Sequence, residues 1–484
     1  MKIVQSRKKG DVARVQERQG KGGQSETRSP LRSRGTPKTA ASAAAGLRPI
    51  VDDLLGPDAP LHLTCWDGST IGDPDSAVRI RFSTPNALRR LLWAPGELGL
   101  AGAYVAGEID VDGSIFDLLA LRDRILSTHE PTRIRLGVLA WASLARSALR
   151  SGATGFLPAP LSDEPRLRGR LHSKARDRDA VTHHYDVGND FYRLLLGPTL
   201  TYSCAFFSGP ETNLDEAQEA KYELICSKLG LTPEMRLLDV GCGFGGMVIH
   251  AARHYGVRAV GVTISPAQHA LAVQRVASAG LADKVDVRLA DYRDIDDGPY
   301  DAVSSIGMFE HVGLTRLREY FIRLRELLTP GGRLLNHAIS MPDGTTQMDR
   351  NSFMGRYVFP DAELHEVGSV ISTMQRQSLE VRDVESLREH YARTTRAWVA
   401  NLEGEWDQAV EMIGAARARI WRLYLAGSAL GFEANRISIH QVLAVKTHAG
   451  GESDMPPTRE SFAVGPGNKR LWLAQASDRA EVRS

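Results

Sequence analysis

The chain has 484 residues, 42% hydrophobic and 24% charged, an ordinary soluble composition with length for two or three domains that each bury a core. Its four cysteines (Cys65, Cys204, Cys226, Cys242) form no CxxC pair and no metal-type Cys/His spacing, which argues against a disulfide framework or structural zinc and fits a reducing cytosol. The net charge of +2 hides an asymmetry: residues 1–45 hold 11 Lys and Arg against 3 Asp and Glu, and the remainder holds 49 against 55.

Taken in chain order, residues 1–48 read as a basic, disordered tail, because so few large apolar residues cannot bury enough surface to order it. No apolar h-region follows the basic start and no run of about 18 apolar residues occurs anywhere, so neither a secretory signal nor a membrane span is expected. Residues 49–125 form a first compact unit. In it "HLTCWDG" and "AVRIRFS" (Ala77–Ser83) read as strands and "PNALRRLLW" (Pro85–Trp93) as a helix opened by proline. Residues 126–179 are expected to be a basic helix and linker. The helix, Thr132–Arg150, is amphipathic, with Leu136, Leu139, Trp141 and Leu144 apolar and arginines near both ends; it reads either as a helix lying on a membrane or as a plain interdomain helix. The linker ends in "RLRGRLHSKARDRD" (Arg166–Asp179), whose six Lys and Arg against two acids point to solvent or to an anionic surface.

From Ala180 to about residue 450 strands and helices alternate. "RLLDVG", "VRAVGV", "VDVRLA", "YDAVSSI" and "GGRLLNHAIS" are the strands, and "RISIHQVLAVK" (Arg436–Lys446) closes the sheet. Such alternation requires a mostly parallel, doubly wound α/β sheet. Residues 451–484 lose periodicity and read as a tail. The first strand runs into "LDVGCGFGG" (Leu238–Gly246), whose glycines let the backbone turn tightly and approach a ligand at the carboxyl edge of the sheet. A dinucleotide site would place an acid at the end of the second strand to hold a ribose. Here that strand ends "VGVTISPAQ", with Thr263 and Gln268, which disfavours a nicotinamide dehydrogenase.

The motifs "HHYDVGNDFYRLLLGPTLTYSCAFF", "LDVGCGFGG", "GVTISPAQ", "SSIGMFEHVG", "LLNHAIS" and "HYARTTRAWVAN" occur in the order seen in cyclopropane-fatty-acyl-phospholipid synthases, and the chain also resembles the mycolic-acid cyclopropane synthases. The branch making 10-methylene or methyl-branched fatty acids falls within the same resemblance. It covers roughly residues 180–450, and residues 49–125 resemble the small lipid-binding domain of the longer synthases. The resemblance implies a class I S-adenosylmethionine-dependent methyltransferase fold with a smaller α+β N-terminal domain. It implies a cofactor site from Tyr202, Ser203, Asp239, Gly241, Gly243, Gly245, Thr263, Gln268, Asp291 and Tyr292, where Tyr292 stands in place of the family's usual tryptophan. It further implies a bound bicarbonate held by Cys204, Glu310, His337, Ile339 and Tyr391, and no metal.

An isolated alkene is a weak nucleophile, so a site of this kind must hold it against the methyl donor, stabilise a carbocation, exclude water and remove a proton. Aromatic faces serve the cation; Phe191, Tyr192, Tyr202, Phe206, Phe207, Phe309 and Tyr391 are the candidates. The implied activity is transfer of a methyl group from S-adenosylmethionine to the double bond of an unsaturated fatty acyl chain of a membrane phospholipid, with bicarbonate-assisted deprotonation. Loss of a proton from the added methyl closes a cyclopropane, and a prior hydride shift gives a methylene branch. A methyl branch would need a separate reductase, since nothing in the chain resembles a reductase domain. Implied partners are phospholipid acyl chains, an anionic membrane surface on its cytoplasmic face and a second copy of the chain, with no nucleic acid. A methyltransferase for a soluble small molecule and a catalytically inactive lipid-binding protein remain open alternatives.

Overall fold

The computed structural model describes residues 42–459 except 95, 129–136, 154, 156–168, 175, 179–186, 344–345, 348–351 and 360. Residues 1–41 of the expected basic tail, Arg166 and Arg168 of the basic linker and residues 460–484 lie outside the described residues.

The first described element is a helix, α1 (Ala43–Leu55), capped by the Ser42 hydroxyl, which accepts from the Ala45 amide. The expected tail therefore ends earlier than residue 48. Leu47 and Ile50, one turn apart, are both buried. Strands β1 (His62–Thr64), β2 (Thr70–Gly72) and β3 (Arg79–Phe82) follow, then helices α2 (Asn86–Trp93) and α3 (Glu97–Val105), strand β4 (Ile109–Asp112) and helices α4 (Ile115–Thr128) and α5 (Val138–Arg150). The four strands form one sheet in the order β2-β1-β3-β4, with β1 and β3 parallel and the other pairs antiparallel. Helix α5 packs on α1, and its Ala140, Leu144 and Ala148 are buried in the same core as Leu47, Leu63 and Phe82. The expected interdomain helix is thus an integral layer of the N-terminal unit, because its i, i+4, i+8 stripe of Ala, Leu and Ala fits closely against a neighbouring helix.

Helices α6 (Asn189–Leu196) and α7 (Leu214–Leu229) lead into the large sheet; α7 carries a complete capping box between Asn213 and Glu216. The sheet elements then alternate as expected: β5 (Arg236–Val240), α8 (Gly246–Tyr255), β6 (Arg258–Thr263), α9 (Pro266–Ser278), β7 (Val285–Leu289), β8 (Tyr300–Ile306), α10 (Leu317–Glu326) and β9 (Leu328–Met341). A short β10 (Thr346–Gln347), α11 (Phe353–Tyr357), β11 (Glu363–Glu366), α12 (Val367–Arg376) and β12 (Glu380–Ser386) come next. Three helices, α13 (Arg388–Gly404), α14 (Trp406–Ile413) and α15 (Ala415–Glu433), precede β13 (Ser438–Val445). Strands β7-β6-β5-β8-β9 are parallel neighbours, and β13 inserts antiparallel between β9 and β12. The chain reverses its strand order at β5 and β8, whose carboxyl ends open the crevice where such sheets bind ligands.

The two parts share an interior. Tyr104, Val111, Ile115 and Leu119 of the N-terminal unit belong to one cluster with Phe191, Tyr192, Trp398 and Trp421. Arg419 of α15 donates to the carbonyls of Tyr104 (3.1 Å) and Ile109 (3.3 Å), and Arg422 donates to the Tyr104 hydroxyl (3.2 Å).

The basic linker is corrected in a similar way. Arg176 is buried and donates from Nε and Nη2 to both oxygens of Asp361 (2.6 and 2.8 Å), while Lys174 pairs with Asp294. Two of its expected surface charges therefore tie the segment to the part built on the large sheet. Likewise the expected tail from 451 begins as packed chain, since Arg459 pairs with Asp383 (3.0 Å) and Asp454 with His448 (2.7 Å). Replacing Asp361 by Ala leaves the Arg176 guanidinium buried without its carboxylate. Denaturant unfolding is expected to show a loss of about 3 kcal/mol or more relative to the parent chain, whereas an Arg176→Met, Asp361→Leu double variant is expected to recover part of it.

Candidate functional site

Two cavities meet at the carboxyl edge of the large sheet. The first, about 150 Å³, is walled by the glycine loop after β5, the ends of β6 and β7, and Tyr202, Ser203, Met308 and His311. The second, about 740 Å³, runs between the large-sheet part and the N-terminal unit. Tyr202, Gly307 and His311 line both.

The first cavity gathers most of the residues expected for the cofactor. Tyr202, Ser203, Asp239, Gly241, Gly243, Thr263, Gln268, Asp291 and Tyr292 all line it. Gly241 has φ +79°, and a Cβ there would sit 2.8 Å from the Met308 side chain, so the turn excludes other residues on both counts. Gly245 does not line the cavity; it caps α8 at φ +81° and faces Ala272 of α9, a packing role in place of the expected ligand contact. The Thr263 hydroxyl donates to Gln268 Oε1 (2.7 Å), and Ser265 caps α9 through the Gln268 amide (3.3 Å). Asp291 is gripped by Arg293 through Nε (2.7 Å) and Nη2 (2.6 Å), which orients its carboxylate on the cavity wall. Tyr292 meets Tyr320 edge-on at 5.3 Å. Asp239, at the buried end of β5, accepts from the Ser304 hydroxyl (2.7 Å), and burial raises its pKa to about 6.

The second cavity is apolar over most of its surface. Leu47, Ile50 and Leu55 of α1, Leu98 and Ala101 of α3 and Leu119 of α4 line its N-terminal side. On the catalytic side stand Glu310, Ile339, Tyr391, Tyr424 and Phe432. Tyr424, Gly427, Ser428 and Gly431 present one face of α15, where small residues at helical spacing leave the room that the cavity occupies. That spacing was present in the sequence as a signal, and the sequence reading passed over it.

Glu310 follows β8 in a short 3-10 turn. Its Oε1 accepts from the Ile339 amide (2.7 Å), its Oε2 is buried with no partner among the described residues, and burial raises its pKa to about 7. His337 is buried in β9 and lines neither cavity, with Nδ1 3.5 Å from Gln441 Nε2 and Nε2 without a partner among the described residues. Burial, followed by the charges of Lys221 and Lys228, drives its pKa well below the ordinary value, so the ring is neutral. Tyr391 lies against Phe432 (4.6 Å between ring centres). Glu310, Ile339 and Tyr391 therefore share one cavity wall, and His337 lies in the strand beneath, two residues before Ile339.

Cys204 departs from expectation. Its side chain lines neither cavity; the thiol donates to the Ala205 carbonyl (3.2 Å) and lies 3.7 Å from the Leu387 carbonyl, and complete burial raises its pKa strongly. Tyr202 lines both cavities and Ser203 the first, while Cys204 packs in the core cluster with Phe191 and Tyr391. Of the seven candidate aromatics, Tyr202 and Tyr391 reach the second cavity. Phe191, Tyr192 and Phe309 are core residues, Phe206 stacks on His390 (4.8 Å), and Phe207 lies under Arg393. The sequence reading missed Tyr424, whose hydroxyl bonds to that of Tyr202 (2.8 Å); His311, assigned no role from the sequence, is a half-buried ring at the junction whose pKa burial lowers to about 4.

A family model described as mycolic acid cyclopropane synthetase matches residues 172–442. A probable fatty acid methyltransferase of Mycobacterium tuberculosis, Rv3720, is 43% identical over 406 residues, covering 82% of this chain and 93% of that protein. The cyclopropane-fatty-acyl-phospholipid synthase of Escherichia coli K12 is 32% identical over 368 residues, covering 75% and 87%. Among solved structures, mycolic acid cyclopropane synthase CmaA1 complexed with SAH and CTAB superposes at a TM-score of 0.52 and 34% identity, over 55% of this chain and 97% of that one.

The buried Glu310 carboxyl carries its own pH signature. A folded-state pKa of about 7 lies above the ordinary 4.5, so the native state holds a proton that the unfolded chain releases, and stability falls as pH rises from about 4.5 to about 7. Glu310→Gln removes that dependence. Its melting temperature relative to the parent is expected to be higher at pH 8 than at pH 5; an equal difference at both would refute the assignment.

Proposed function

This chain belongs to the mycolic acid cyclopropane synthetase family and is an S-adenosylmethionine-dependent C-methyltransferase of the cyclopropane synthase type; we propose that it methylates the double bond of an unsaturated acyl chain of a membrane phospholipid. The observation that carries this reading is the meeting of a cofactor-type cavity with a long apolar one at Tyr202, Gly307 and His311. When bound, S-adenosylmethionine supplies a sulfonium methyl, and the apolar cavity holds the chain that receives it. Water is excluded by leucines and by the Tyr202–Tyr424 pair, which protects a carbocation on the acyl chain from capture. The faces of Tyr202, Tyr391 and Tyr424 are the electron-rich surfaces available to that cation.

The residues present also fit a bicarbonate. Glu310 Oε2 and His337 Nε2 are buried polar atoms with unused capacity, one an acceptor for the anion's own O–H and the other a ring nitrogen able to donate to its oxygens. Bound there, bicarbonate would supply a base for the departing proton. Glu310 would orient it, the Ile339 amide fixing the Glu310 carboxylate in turn. Loss of the proton from the added methyl gives a ring. A hydride shift before that loss gives a methylene, and a methyl branch follows only with two electrons and a proton pair from a separate reductase. Purified protein incubated with methyl-labelled cofactor and oleoyl phospholipid vesicles is expected to label lipid, and the fragmentation of the labelled chain identifies ring or methylene. Label in a soluble acceptor alone would favour small-molecule methylation, and no transfer would favour an inactive lipid binder. Glu310→Gln is expected to lower turnover at least about tenfold with cofactor affinity nearly unchanged.

Access to a phospholipid requires a membrane-facing surface, and the outer face of α5 supports one. Val138, Leu139 and Leu149 are 85%, 81% and 68% exposed beside exposed Arg146 and Arg150, and α5 contains no acid. Leu100, itself partly exposed, lines the apolar cavity within the same unit. No helix of the described residues is long and apolar enough to cross a membrane. We place the anionic lipid contact on this face instead of on the linker, where Arg176 is already committed. A Leu139→Glu, Leu149→Glu variant is expected to lose binding to phosphatidylglycerol vesicles in sedimentation, and Arg146→Glu, Arg150→Glu to lose it most at low salt, both retaining activity on detergent-dispersed lipid. Unchanged sedimentation with an altered mass in light scattering would instead assign the face to a second copy.

A further inference from the structure

Helix α7 buries two lysines on one face, seven residues apart, and they are treated differently. Lys228 is fully buried and is met by two carboxylates, Asp383 at 3.0 Å and Glu385 at 2.5 Å. Lys221 is equally buried, yet among the described residues no carboxylate lies within ion-pair distance of it. Its Nζ donates to the Ser203 hydroxyl (2.9 Å) and sits 4.0 Å from the centre of the Tyr222 ring. A hydroxyl and a ring face are weak compensation for a buried ammonium, which ordinarily requires a paired anion. Lys221 also lines the cofactor cavity and does not line the acyl cavity. Across that same cavity stands Asp239, a buried carboxylate whose Oδ1 is taken by Ser304 and which lies beyond ion-pair distance of Lys221. The cavity thus holds one positive and one negative group, both dehydrated and held apart from each other.

We propose that Lys221 binds the carboxylate of the amino-acid end of S-adenosylmethionine, with Asp239 facing its ammonium. The inference rests on the cofactor reading above and names the two charges that recognise the zwitterion. Lys221 keeps two N–H donors after Ser203 is served, enough for both oxygens of a carboxylate. Ser203, buried, positions the ammonium and is itself held through its carbonyl by Gln218 Nε2 (2.9 Å). Burial lowers the Lys221 pKa to about 7, with Cys204 and Asp239 opposing, so a bound carboxylate also restores the charge that burial disfavours. The contrast with Lys228 separates the two jobs: one lysine is neutralised by the fold, the other is left for a ligand.

The test compares S-adenosylmethionine with its decarboxylated form, which keeps the ammonium and loses only the carboxylate. By isothermal titration calorimetry the full chain is expected to bind the complete cofactor roughly ten- to hundredfold more tightly. Lys221→Met, nearly isosteric and apolar, is expected to lose that preference while binding the decarboxylated form within about threefold of the parent; thermal unfolding of the ligand-free variant reports its fold. Equal affinity of the parent chain for both ligands overturns the proposal without reference to any variant. A Lys221→Met protein that still discriminates, or that loses both ligands alike, overturns it too. Failure of the parent to bind either ligand instead overturns the cofactor reading on which the assignment depends.

Discussion

A polar group taken out of water must find a partner or cost the fold stability, and in this molecule the search for partners separates structural groups from functional ones. Arg176 and Lys228 are dehydrated and matched by carboxylates distant in sequence. Glu310, His337 and Lys221 are dehydrated and incompletely matched among the described residues; Glu310 and Lys221 line the cavities, and His337 lies in β9 two residues before Ile339, which lines one. The first set closes the structure. The second leaves capacity for ligands, an arrangement that functional sites retain at some expense of stability.

The apolar cavity depends on the same economy of packing. It lies where the N-terminal unit meets α15, and the small residues Gly427, Ser428 and Gly431 keep that meeting from closing. Arg419 and Arg422 hold the two parts together around Tyr104, beside the space itself. Here Leu47, Ile50 and Leu55 extend the cavity into the N-terminal unit, so the helix α1 that begins the described fold also walls the apolar space.

The junction at Tyr202 shows how neighbouring side chains divide their work. Tyr202 lines both cavities, Ser203 holds Lys221, and Cys204 packs inward against the Leu387 carbonyl. The segment is not a regular strand, and its three consecutive side chains go to three places, two of them to ligand-type space and the third to the core. The thiol's burial, with its pKa pushed up, removes it from nucleophilic chemistry and leaves it a packing role.

Much of this was legible in the sequence because it is local. Strand–helix alternation, the glycine loop with its turn constraint at Gly241, and the Ser265 cap before Pro266 all follow from residues within a few positions of one another. The motifs around Glu310, His337 and Tyr391 are similarly short, but of the three only Glu310 follows its strand; His337 lies within β9 and Tyr391 on helix α13, which their motifs did not show. What local pattern could not reveal was the identity of long-range partners. Arg176 and Asp361 are 185 residues apart, Lys228 and Glu385 157, Tyr202 and Tyr424 222. Composition made Arg176 a surface charge and left Lys221 an unremarked helix residue; only the folded contacts show that one charge is satisfied and the other is not. The sequence by itself determined the sheet, its ligand-binding edge and the family chemistry, since those rest on periodicity and short motifs. The tertiary structure decided which buried groups remain open to a ligand, because that depends on what the rest of the chain brings, or fails to bring, within hydrogen-bonding reach.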